Sequence, residues 1–196
     1  MGQRSQIYIR YKDKNGVQLV ARYFGWNFGV RMISRTRGII EWLTDYLADD
    51  KDAIIHNLPK LERICDVNFD MKDVVISTDI KAEIVEQFFD EAQQDLKQYL
   101  FGQDNNDGQL LIDVDGVKVK YALIPYYTES DHVMGAREYL EWNDGKSWME
   151  KLELGEKAYT MNNIQYISNH AKLMTAREVY DFINYDYDGA VFGYPF

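Results

Sequence analysis

The sequence predicts an α+β fold: a single domain over residues 1–196, with antiparallel β-hairpins and about five helices packed on the sheet. Three observations carry this. Two stretches alternate apolar and polar residues around turn signals. Other stretches repeat apolar residues at helical spacing. The composition, 46% hydrophobic and 28% charged, belongs to a chain that builds a core. A length of 196 residues allows one domain or two small ones. No linker, internal repeat or low-complexity tract divides the chain.

The first hairpin is read from Ile7, Ile9 and Tyr11, which alternate with Tyr8, Arg10 and Lys12, and from Leu19, Ala21 and Tyr23 beyond the turn Lys14-Asn15-Gly16. A three-residue loop with a left-handed Gly16 pairs Ile9 with Ala21 and Tyr11 with Leu19. That register keeps each face uniform. It gathers Tyr8, Arg10, Lys12 and Arg22 into a surface patch, basic with one aromatic. A helix follows the Gly25–Gly29 loop, with the stripe Ile33, Thr36, Ile40, Leu43 and Leu47.

Residues 52–65 have a helical pattern that Pro59 must break or restart. Val74-Val75-Ile76 reads as a short buried strand. Ile80, Ile84, Phe88, Ala92, Leu96 and Leu100 then form the most regular helical stripe in the chain, stopped by Gly102.

A second hairpin turns on Asp115-Gly116, pairing Ile112 with Val119 and setting Asp113 opposite Lys118. Residues 137–142 suit strand or helix. Ser147 with Glu150, and Thr175 with Glu178, are capping-box signals for two helix starts, the second running to about Ile183. Ile164, Ile167, Ala171 and Met174 have helical spacing between them. The tail from Tyr185 to Phe196 is aromatic and acidic, with no basic residue.

Charge is unevenly spread over a net −10. Up to Arg37 there are eight basic residues and one acid; the remainder holds 14 basic and 31 acidic residues. The basic segment either neutralises the acidic body internally or offers an anion-binding surface. Overall acidity argues against nucleic acid as a partner. One cysteine, Cys65, forbids an internal disulfide and a cysteine-based zinc site. No apolar run has the length of a membrane span, and no apolar leader follows Met1. The expectation is a cytoplasmic protein without a membrane contact.

The run Ser5–Tyr11, with Ala21-Arg22-Tyr23, Trp26-Asn27 and Arg31–Arg35, resembles uncharacterised cytosolic proteins of low-GC Gram-positive bacteria, some of prophage or other mobile regions. The resemblance covers roughly the first forty-five residues. It implies no activity, site residue or cofactor.

Three constellations could carry function. Gly29, Arg31 and Arg35 stand where free amides at a helix start and nearby guanidinium groups would suit a phosphate. Asn184, Asp186 and Asp188, followed by Gly189, open like a calcium loop. Pro195 stands at the twelfth position, where that loop needs a bidentate glutamate. The helices flanking Thr175 could imitate a helix-turn-helix, but the second carries Glu178 and Asp181 against Arg177 alone. His56, His132 and His170 have no metal-ligand spacing, no nucleophile elbow is present, and no motif calls for a cofactor. The charge asymmetry and the aromatic tail favour a non-enzymatic binding or assembly protein, homo-oligomeric or bound to another protein. The alternative is a metal-dependent hydrolase, or a phosphate- or nucleotide-binding protein.

Overall fold

A computed structural model describes residues 4–13, 16–25, 27–49, 74–77, 107–125 and 132–185. The helices expected over 52–65 and 80–100, Cys65 and the tail beyond Tyr185 lie outside the described residues. The strands are β1 (Arg4–Asp13), β2 (Gly16–Gly25), β3 (Val74–Ser77), β4 (Gln109–Asp115), β5 (Lys118–Ile124) and β6 (Lys172–Leu173). The helices are α1 (Gly29–Asp49), α2 (Ala136–Asp144), α3 (Leu154–His170) and α4 (Ala176–Ile183), with a 3-10 turn at Trp148–Lys151. The fold is thus α+β, with four α-helices rather than five among the described residues.

The six strands form one sheet in the order β3-β2-β1-β4-β5-β6. Both expected hairpins are present and antiparallel. They are joined by a parallel pairing of β1 with β4, in which Ile7 meets Leu110 and Ile9 meets Ile112. That pairing makes β1 an interior strand.

One face of the sheet presents Ile7, Ile9, Leu110, Ile112, Tyr121 and Leu123 to a core completed by α1, α2 and α3. From α1 it takes Ile33, Ile40 and Leu43, the stripe read from the sequence. Each such fully buried side chain stabilises by roughly 1.5–3 kcal/mol. The residues of opposite parity, Arg10, Asp113 and Lys120, meet α4 on the other face. Arg10 lies over the Phe182 ring at 4.6 Å, and Lys120 pairs with Glu178 at 3.2 Å.

The first hairpin does not take the expected register. Ile9 pairs with Val20, Tyr11 with Gln18 and Arg10 with Leu19, around a two-residue turn between Asp13 and Gly16. A one-residue slip exchanges the faces of a strand. The slip is tolerated because β1 is buried on both sides, with Tyr8 and Ile9 alike at 0% exposure. The expected register assumed one solvent face.

The second hairpin is displaced by two residues, so its faces are kept. Asp113 meets Lys120 and Asp115 meets Lys118. Gly116, with φ +63°, takes the first turn position, and Val117 is left exposed. Glycine at that position is what a type II′ turn favours.

The Thr175–Glu178 capping box starts α4 as expected. The Thr175 hydroxyl accepts from Glu178 N–H, and the Glu178 carboxylate accepts from Thr175 N–H at 2.8 Å. Ser147 caps only the 3-10 turn, without a side-chain hydrogen bond. Instead α3 is capped by Glu153, whose N–H donates to the Glu156 carboxylate at 2.9 Å. The strand β6 intervenes between α3 and α4, so the two do not form a helix-turn-helix.

The Glu178 carboxyl is held below its ordinary value of 4.5, first by the Thr175 backbone amide, then by the Thr175 hydroxyl and Lys120, against the opposing effect of burial. A depressed folded-state value stabilises the fold above 4.5, and that stabilisation is lost as pH falls through the folded value. Glu178→Gln should therefore flatten the acid side of the stability curve. Urea midpoints taken across the acid range check this; equal pH slopes in the two proteins would sink it.

Candidate contact groove

Two of the amides at the start of α1 are engaged: Arg31 and Met32 N–H both donate to Phe28 C=O. Gly29, Arg31 and Arg35 are all buried, Arg35 at 0% exposure. The Arg35 Nε donates to Asn27 Oδ1 at 2.9 Å, and Asn27 Nδ2 donates to Ser5 Oγ at 2.9 Å. A carboxylate oxygen of Asp144 lies 2.8 Å from where a Cβ on Gly29 would stand. This helix start is therefore furnished with an internal carboxyl. Burial pushes the Asp144 carboxyl above its usual range, against the pull of Lys151. Burial, with Asp107 and Asp144 adding to it, pushes the Tyr139 hydroxyl well up, and Tyr139 donates to Asp107 C=O at 2.8 Å. A solvent phosphate at this helix start would have to displace these internal partners.

The surface patch is corrected in composition. Tyr8 is fully buried, because β1 is covered on both faces, and so contributes to no surface. Arg10 makes a two-pronged pair with Asp113, at 2.8 and 3.0 Å, and its Nη1 reaches Asp181 C=O at 3.4 Å. It anchors α4 to the sheet. Lys12 is exposed. Arg22 stands opposite Ile7 in register, whereas Arg10 stands opposite Leu19, so the slip separates the two. A cleft of about 300 Å³ at the hairpin tips is lined by Arg10, Lys12, Asp113, Asp115 and Tyr185.

In the calcium-type loop, Asn184 is placed as the end of α4, its N–H and Nδ2 both donating to Tyr180 C=O. Asp186 and Asp188 lie outside the described residues. Among the described residues no group of three or more His, Cys, Asp and Glu could hold a metal ion.

A larger groove, of about 530 Å³, opens away from all the residues expected to form sites. Three elements converge there: the start of α2 (Gly135–Glu138), the end of α3 (Ile164, Ser168, Ala171), and the edge strand β6 (Lys172, Leu173). Tyr121 of β5 lies beneath them. Burial raises its hydroxyl above the ordinary value, against the lowering effect of the Ala136 backbone amide. Ile164, Ala171 and Leu173 give the groove an apolar wall, with Leu173 exposed at 38%.

The rim is charged. The Glu138 carboxylate accepts from Gly135 N–H at 2.8 Å and so serves the start of α2. Arg137 and Lys172 are exposed, and neither has an acidic partner among the described residues. Arg137 Nη2 lies 3.7 Å from Met161 Sδ.

At β6, Met174 N–H donates to Tyr121 C=O at 2.8 Å. Backbone groups alternate in direction along a strand, so the Leu173 N–H and C=O are directed to the open edge. No spacing in the sequence marks these residues. What joins them is the parallel pairing of Leu173 with Tyr121, 52 residues apart in number.

No family model matches the sequence, and neither a curated protein nor a solved structure matches it. Among the described residues no helix is long and apolar enough to cross a membrane.

Proposed function

We propose that this chain is a non-catalytic binding or assembly protein that associates with itself, using the groove beside β6 as its contact surface. The observation that carries the reading is the composition of the groove. An apolar wall ends in the exposed Leu173, flanked by the exposed cations Arg137 and Lys172, on a protein of net charge −10. Apolar anchors with charged rims are the usual anatomy of a protein contact. The short edge strand adds one outward amide and carbonyl, enough to orient a partner and too little to template a sheet.

The expected result is a mass above that of one chain, 23.1 kDa, in light scattering, rising with concentration. Leu173→Asp should shift this towards the single chain without lowering the unfolding midpoint, because Leu173 contributes little to the core. A single-chain mass at every concentration, or an unchanged mass for Leu173→Asp, would overturn the reading.

A further inference from the structure

We infer that the occupant of the groove is the C-terminal segment of a second copy of this chain, residues 186–196. This rests on the self-association reading and specifies the contact. Residues 186–196 lie outside the described residues, and only their composition is used here.

The groove asks for three things at once. Its apolar wall of Ile164, Ala171 and Leu173 needs a large apolar side chain. Its cations, Arg137 and Lys172, need carboxylates. The open backbone of Leu173 suits a segment that can lie extended. The sequence Asp186-Tyr187-Asp188-Gly189-Ala190-Val191-Phe192-Gly193-Tyr194-Pro195-Phe196 has all three properties. It carries two acids, no basic residue and four Tyr or Phe.

Position favours a second copy over the same chain. The segment follows α4, which lies on the face of the sheet bearing Arg10 and Lys120. The groove stands on the face bearing Tyr121, with α2 and α3. Extended, eleven residues span at most about 36–40 Å. Within one chain the segment would have to pass around an edge of the sheet to reach its own groove, a constraint that a partner's groove does not impose. If each copy gives its segment to the other, the two contacts are related by a twofold axis and the assembly closes at two.

The experiment is a charge exchange in the full-length chain, read by sedimentation and light scattering over a concentration series. One variant reverses the groove (Arg137→Glu with Lys172→Glu). A second reverses the segment (Asp186→Lys with Asp188→Lys). A third carries all four changes. Each of the first two should weaken self-association by about tenfold or more, and the third should recover most of it. Such recovery cannot come from destabilisation, which the combined variant would only deepen. As a second readout, a fluorescent peptide of residues 186–196 should bind the wild-type chain, and bind the groove-reversed chain about tenfold more weakly. Self-association equal in all four proteins would overturn both the groove reading and the segment as occupant. Self-association weakened by the groove reversal but unchanged by the segment reversal would overturn the segment as occupant and leave the groove reading standing. Loss in both double variants without recovery in the combined one would also overturn it. A wild-type chain that stays single at every concentration would overturn both.

Discussion

Replacing Arg35 with methionine should cost about 2–4 kcal/mol of stability, one of the two largest single-residue effects expected in the described part of the chain. Arg35 is the largest fully buried side chain among the described residues. Methionine keeps the apolar stem, so the loss reports the guanidinium group. Its Nε donates to Asn27 Oδ1, and Asn27 in turn donates to Ser5 Oγ and lies 3.4 Å from Met32 Sδ. Asn27 thus ties the start of α1 to the start of β1, and Arg35 orients Asn27. Asn27→Ala should cost a similar amount, because a buried cation loses an acceptor.

The two losses should not add. Once Asn27 is gone, removing Arg35 breaks nothing further between them, so the double variant should fall short of the sum by about 1–2 kcal/mol. Urea unfolding of the four proteins gives each value. A loss below about 0.5 kcal/mol for Arg35→Met, or strict additivity, would show that this buried polar group is not a coupled unit.

Parts of the fold that depend on local chemistry are legible in the sequence. The Thr175–Glu178 box fixes the start of α4, because both side chains serve amides within one turn. The stripe of Ile33, Thr36, Ile40 and Leu43 fixes the inner face of α1, because all four pack inward. Strand register is legible only where one face is wet. Alternation could not choose between pairing Ile9 with Ala21 or with Val20 when Tyr8 and Ile9 are equally buried. A shift of two residues in the second hairpin leaves parity unchanged, so the pattern could not detect it. The observed register sets Asp113 opposite Lys120 and Asp115 opposite Lys118, two opposite-charge positions where the expected one set Asp113 opposite Lys118 alone.

The start of α3 was missed because its cap is a glutamate and its buried face includes Thr160 and Asn163, which break the apolar stripe. The groove was illegible for a further reason. Tyr121, Arg137, Ile164 and Leu173 meet through a two-residue strand and a parallel pairing, and neither leaves a periodic trace. The surroundings of the expected anion site are illegible on the same nonlocal ground. Tyr139 and Asp144, more than a hundred residues further on, occupy the helix start that looked vacant from its own sequence.

Gly108→Ala is the second large expected effect, at about 3 kcal/mol or more, or a fall in Tm of roughly 6–12 °C. Gly108 immediately precedes β4, where the chain enters the sheet between β1 and β5. Its φ of +86° lies in the left-handed region, which by itself costs a side-chain-bearing residue about 1–2 kcal/mol. Space adds the rest. A Cβ here would stand 2.8 Å from the backbone oxygen of Ile124, 3.4 Å from the Trp142 ring and 3.5 Å from the Tyr139 ring. The Ile124 carbonyl belongs to β5 and cannot move without shifting the ladder with β4, in which Ile124 pairs with Gln109. Gly108 C=O also accepts from Gln6 N–H at 3.3 Å, so relief in the other direction would pull on β1. Gly116→Ala separates strain from crowding. Gly116 has a comparable φ of +63°, but nothing lies within 4 Å of its Cβ position. It should lose only the conformational part, about 1–2 kcal/mol. Thermal and urea unfolding of both variants decides the matter: equal losses at the two glycines would mean that the close approach at Ile124 relaxes freely, and the crowding argument would fail.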